Sequence, residues 1–343
     1  MIKPQRLKKG DKVAIVSLSS GMLGDKEYLH KYNLGKKRLE EKFELEVVTM
    51  PNALKGSNYL YEHPQKRAED FMNAFLDPGI RAIITSIGGD DTIRLLPYID
   101  YEIIRNNPKI FTGFSDTTAN HLMMFKAEIV SYYGPALMSD FAEYGAMYDY
   151  TETAIRELLF EGKDHFEIKK CPYWVNEDIP WDEENIGKSR KQIPDEKGYE
   201  IIQGSGTARG RLFGGCIDAF PMYNGTSLWP SPDQLKRNIL FLETSEDYPS
   251  PEFLTYYLRN LGAQGILEQT VGIIVGKPAK EKYYEEYKHA YCKILKEFNR
   301  EDIPVFYNAN FGHCAPIGII PYGIECELDT IQKKITLLES VVQ

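Results

Sequence analysis

The stretch KIFTGFSDTTANHLMMF, residues 109–125, decides the fold. Its first part, Lys109 to Phe114, is a short apolar run of the kind that forms a fully buried strand. Ser115-Asp116-Thr117-Thr118 breaks the run, and a helical pattern resumes from Thr117. A strand, a sharp polar corner and a helix make one βα unit. The same grammar recurs upstream. KVAIVSL (12–18) reads as a strand, 25–41 as a polar helix, LEVVTM (45–50) as a second strand and 64–76 as a helix. RAIITSI (81–87) is a third strand, closed by Gly88-Gly89, and 91–97 begins another helix. Strands alternating with helices predict a parallel sheet with helices on both faces.

The alternation stops near residue 160. CPYWVNEDIPWDEENIGKSRKQIPDEKG (171–198) is rich in proline, charge and aromatics, and predicts a long connection or lid. A second set of short strands follows: RLFGG (211–215), NILFLE (238–243), VGIIVGK (271–277), PVFYNANFGH (304–313), IGIIPYG (317–323) and the alternating KKITLLE (333–339). Helical patterns cover 251–261 and 283–298. We therefore expect an α/β domain over 1–160, a connecting insert or lid over 161–205, and a β-rich domain over 206–343.

Composition narrows the class. The 343 residues suit about two domains. No apolar run approaches the roughly 18 residues that would span a bilayer. The start, MIKPQRLKKGDKVAIVSLSS, is too polar for a signal peptide, so a cytoplasmic, non-membrane protein is expected. A net charge of −9 argues against a nucleic-acid polymer as partner. The five cysteines are odd in number and form no CxxC pair, as suits free thiols in a reducing compartment. No His/Cys cluster has zinc spacing, so no metal is expected.

In open parallel sheets ligands sit beyond the carboxyl ends of the strands, and three loops there carry chemistry. SIGGDDT (86–92) offers adjacent glycines whose amides suit an anion or a developing oxyanion, or simply make a tight turn. Its GGDDT is also similar to the GGDGT signature of NAD and diacylglycerol kinases, with Asp91 where that signature has glycine. GFSDTT (113–118) places Ser115 at the corner, where it fits both a helix cap and a nucleophile elbow. A serine nucleophile needs a base and an acceptor to orient the base. Of the six histidines, His313 alone sits in a constrained strand-end loop, framed by Gly312 and Cys314-Ala315-Pro316. For the acceptor, Glu243 ends NILFLE, with Glu246 and Asp247 as rivals. Ser115, Glu243 and His313, each at a strand end, make a coherent hydrolase constellation.

These residues resemble a known family. IGGDD (87–91), GFSD (113–116), GRLFGG (210–215), LFLE (240–243) and NANFGHCAP (308–316) look like the LD-carboxypeptidase family of serine peptidases, in the right order from about Lys12 to Leu328. One branch of that family removes D-alanine from murein tetrapeptides. The other contains the microcin C immunity protein, which cleaves an aminoacyl carbonyl from a nucleotide-like group. The long insert, with Trp174 and Trp181, resembles the second branch.

The resemblance implies a flavodoxin-like N-terminal domain bearing Ser115 and a smaller β-rich C-terminal domain bearing Glu243 and His313. It implies a site between them, a homodimer, and no cofactor. The expected mechanism is acyl transfer through Ser115, with His313 as base and Glu243 as its orienting carboxylate. The amides of Asp116 and of Gly89 or Asp90 would hold the oxyanion. One of the two tryptophans is expected to stack on a nucleobase, and Asp247 is a candidate to face a substrate amine. A murein tetrapeptide carboxypeptidase is the alternative activity, and a GGDGT-type nucleotide kinase the alternative of another class.

Overall fold

The computed structural model describes residues 1–343. Five parallel strands form the first sheet: β1 (Lys12–Val16), β2 (Glu46–Thr49), β3 (Ile80–Thr85), β4 (Ile110–Gly113) and β5 (Tyr132–Tyr133), in the order 5-4-3-1-2. This is the flavodoxin-like order. The chain switches direction between β1 and β3, which opens a crevice beyond their carboxyl ends. The apolar runs read from the sequence are buried on both faces: Val13 to Val16, Ala82 to Ile84, Ile110 and Phe111 are all at most 3% exposed.

The second sheet has eight strands. They are β6 (Phe166–Glu167), β9 (Glu200–Gln203), β10 (Thr207–Cys216), β11 (Asn238–Glu243), β12 (Thr270–Gly276), β13 (Val305–Ala309), β15 (Glu325–Asp329) and β16 (Lys334–Leu337). Their order is 6-16-15-10-11-12-13-9, parallel from β10 to β13 and antiparallel toward both edges. A small hairpin, β7 (Tyr173–Val175) with β8 (Gln192–Pro194), stands apart. The chain is thus an α/β protein with a parallel sheet and a β-rich second sheet. No helix is long and apolar enough to cross a membrane.

Three local expectations change. The run at 91–97 forms a 3-10 segment, Thr92–Tyr98, and the α-helix begins only at Tyr101. Pro97, inside the turn, has no N–H to continue an α-helical ladder. Of IGIIPYG only Ile320–Pro321 pairs, as β14, and it pairs with β5 of the first sheet rather than with the second. That crossing stitches the two sheets together. Finally, the segment 161–205 gives β6 and β9 to opposite edges of the second sheet. It is also fastened to the loop after β13, since the Val175 amide donates to the Ala315 carbonyl (2.9 Å) and the Cys171 amide to Asn310 Oδ1 (3.0 Å).

Candidate active site

Ser115 lies two residues past the end of β4 and has a φ of 65°, a left-handed backbone for a non-glycine residue. Such strain costs about 1–3 kcal/mol and is kept where the surroundings fix it. Here two contacts fix it. The Ser115 amide donates to the Tyr133 hydroxyl at 3.0 Å. The carboxylate of Asp116, 1% exposed, accepts from Ser19 Oγ (2.6 Å), from the Thr92 amide (2.9 Å) and from the Tyr223 hydroxyl. Asp116 thereby ties the loops after β1, β3 and β4 to the second half of the chain. Gly88 makes the close approach possible, because a Cβ there would lie 2.7 Å from Ser115 Cβ and 2.9 Å from its Oγ.

Glu243, the last residue of β11, is 1% exposed. An isolated carboxylate so deep would be costly, and this one is fully engaged. Oε2 is 2.8 Å from His313 Nδ1 and accepts the His313 amide at 3.2 Å. Oε1 accepts the Tyr133 hydroxyl at 2.5 Å. Gly312, with φ of 77°, leaves the room: a Cβ on it would fall 2.3 Å from Glu243 Cδ. The other face of His313 packs edge-on against Phe114, the neighbour of Ser115, with ring centroids 5.1 Å apart. Its Nε2 lies 2.9 Å from Glu246 Oε2. Burial alone would push the imidazole pKa down, but the two carboxylates outweigh it and hold it well above the usual histidine range.

Ser115 and His313 face one cavity of ≈ 470 Å³. Its near wall is Gly88, Gly89, Phe114 and Ser115, at the crevice where the sheet order switches. The lining also includes an aromatic and cationic cluster. Lys31 Nζ sits 4.4 Å from the Trp181 ring centroid and 4.1 Å from that of Tyr144. Burial lowers the Lys31 pKa to about 7, with Arg190 and Arg38 adding to the fall and Glu143 opposing it. Arg190 pairs with Glu143.

The other expected residues fall in different places. Trp181 lines the cavity. Trp174 is outside it and lies against Lys277, whose Nζ is 4.6 Å from its ring. Glu246 lines the cavity and Asp247 does not. Gly89 lines it, while Asp90 lies off the wall and Asp116 beneath it. Asp91 pairs with the fully buried Arg67 and with Arg94, 3.0 Å away, which accounts for a carboxylate in this loop without any phosphate. Lys31, Tyr144 and Arg190 were not legible as site residues, because each lies in a segment whose local pattern is that of an ordinary polar helix or loop. Cys216 pairs in register with Glu243, and its Sγ, the Glu243 carboxylate and His313 lie within 4.8 Å of one another. Burial, then Glu243 and Asp218, push the thiol pKa well above normal, so it keeps its proton.

Comparison with known proteins shows the family. Residues 13–134 match the model of the LD-carboxypeptidase N-terminal domain, and 209–328 that of the C-terminal domain. The chain is 29% identical over 280 residues to the microcin C7 self-immunity protein MccF of Escherichia coli, covering 80% of this chain and 78% of the relative. It is 30% identical over 329 residues to the putative carboxypeptidase YocD of Bacillus subtilis, covering 95% of each. Among solved structures, an MccF-like protein from Streptococcus pneumoniae in complex with AMP superposes with a TM-score of 0.87 at 34% identity, over 96% of this chain and 98% of that one. MccF in complex with aspartyl sulfamoyl adenosine gives 0.85 at 25%, over the whole of both chains.

Proposed function

The chain belongs to the LD-carboxypeptidase family and is a serine carboxypeptidase-type hydrolase; from that premise we propose that it cleaves the amide-type bond between an aminoacyl or peptidyl carbonyl and a nucleotide-like group, as in processed microcin C. The observation that carries this reading is the cavity itself. It is lined both by Ser115 and His313 and by the Trp181–Lys31–Tyr144 cluster. An aromatic face suits a nucleobase, and a cation beside it suits a phosphate or its sulfamoyl analogue. Two solved relatives hold AMP and aspartyl sulfamoyl adenosine.

In this reading Ser115 Oγ attacks the carbonyl carbon while His313 Nε2 takes its proton. Glu243, on Nδ1, fixes the tautomer and stabilises the imidazolium. The tetrahedral oxyanion is received by the Asp116 amide and by one from the Gly89–Asp90 loop. His313 then protonates the leaving nitrogen, the C–N bond breaks and the acyl group stays on Ser115. A water attacks the acyl-enzyme, giving its proton to His313, and Ser115 is released with its hydroxyl restored. No step calls for a cofactor. Glu246 must leave Nε2 before the cycle begins, since that nitrogen is the one that takes the serine proton. We place the enzyme in the cytoplasm as a homodimer, where an adenylate-like toxin would be met.

The test is hydrolysis of aspartyl sulfamoyl adenosine followed by chromatography, beside a murein tetrapeptide. Ser115-dependent release of the nucleoside sulfamate is the expected result. Release of D-alanine alone would replace this reading with the murein one, and full activity of Ser115→Ala would remove the nucleophile.

A further inference from the structure

The cavity wall carries four carboxylates, and three are already answered. Glu143 is paired with Arg190, and Asp178 with Lys280. Asp140 accepts the Ala136 amide (2.9 Å) and the Ser139 hydroxyl (2.7 Å). Glu246 differs. Its side chain is 69% exposed, and its one ionic partner is His313 Nε2. The proposed reaction needs that same nitrogen free. Glu246 is therefore displaced from its resting partner when the reaction begins, beside the reacting groups.

We propose that Glu246 is a specificity residue that exchanges the His313 imidazole for a cationic amine on the acyl side of the substrate. The α-ammonium of an aminoacyl group is two bonds from the scissile carbonyl carbon. It is therefore the cation that an aminoacyl, but not a peptidyl, substrate poised over Ser115 brings into this neighbourhood. The exchange conserves one ion pair while freeing Nε2, so that a substrate bearing the amine both binds and unlatches the base. A substrate without it leaves an unpartnered carboxylate that returns to Nε2. The same charge disfavours an acyl group with an anion in that place. This assigns to Glu246 the amine-facing role for which Asp247 was a candidate from the sequence.

The inference rests on the acyl-transfer reading, and one experiment separates the two. Aspartyl sulfamoyl adenosine and succinyl sulfamoyl adenosine differ only in the α-ammonium group. The wild-type enzyme is expected to favour the aspartyl compound in kcat/KM by tenfold or more, on the order of one charge-assisted hydrogen bond. In Glu246→Gln and Glu246→Ala the preference should fall to within about twofold, and in Glu246→Lys it should invert, each variant being checked for a native circular dichroism spectrum. Glu246 is exposed, so these changes leave the core untouched. No preference in the wild type, or a preference that survives in Glu246→Gln and Glu246→Ala, overturns the role of Glu246 alone. Failure to hydrolyse either compound overturns the function on which it rests.

Discussion

The Tyr133 hydroxyl accepts the Ser115 amide and donates to Glu243, so one phenol couples the backbone of the corner serine to the buried acid of the other sheet. Burial, reinforced by the Glu243 charge, raises the Tyr133 pKa well above normal, so it keeps the proton that it donates. Tyr133→Phe leaves a buried carboxylate oxygen and a strained amide without partners. An orphaned buried group costs about 1–3 kcal/mol. We expect that loss in urea unfolding and about a tenfold fall in kcat/KM, since 1.4 kcal/mol in the barrier is a factor of about ten. Wild-type unfolding and kinetics in this variant would show the coupling to be idle.

Glu243→Gln should be the sharper lesion. An amide at this place can donate to His313 Nδ1, which would put the imidazole proton on Nε2, where it blocks acceptance from Ser115. The expected drop in kcat is about 10⁴-fold, by analogy with loss of the orienting acid in other triads. The pH dependence has a definite sign. The folded pKa of His313 is raised, so its pairing stabilises the fold fully below the unfolded value of about 6.5 and the contribution is lost as pH rises through the folded value. The gap in thermal stability between wild type and Glu243→Gln should be widest at acid pH and narrow as pH rises. A gap that widens with pH would contradict the assignment.

Lys31 predicts a proton uptake. With its pKa lowered to about 7, mainly by burial, it is largely neutral at pH 8. A phosphate or sulfamate bound beside it restores the charge. Calorimetric titration with AMP at pH 8, in buffers of different ionisation enthalpy, should show uptake of up to about one proton per site. Lys31→Met should abolish it. Binding without uptake in the wild type would place the anion elsewhere.

The two tryptophans should separate cleanly. Base–aromatic stacking is worth about 1–3 kcal/mol, so Trp181→Ala should weaken AMP binding by about 5- to 150-fold. Trp174→Ala, which removes packing from the buried Lys277 instead, should change AMP affinity less than threefold, on the scale of about 0.5 kcal/mol for a site out of contact. Equal losses in the two variants would sink the distinction.

Much of the molecule is dictated locally. Apolar runs such as RAIITSI and NILFLE have only one stable destination, the middle of a sheet buried on both faces. The corner at Ser115 and the turn at Gly88-Gly89 announce themselves because strand-to-helix corners need special residues. That is why the sheet, the strand ends and the candidates Ser115, Glu243 and His313, the last two of which meet in the structure, could be proposed from the chain alone. Three matters were left to the tertiary structure. Short-range pattern carries no information on which distant charges will meet, so Lys31 and Arg190 look like surface residues until folding turns them inward. Nor could it separate Trp174 from Trp181, seven positions apart in one polar insert. And it could not foresee that β14 would leave its own half to pair with β5, because strand pairing is chosen by the free edge that the rest of the fold leaves open.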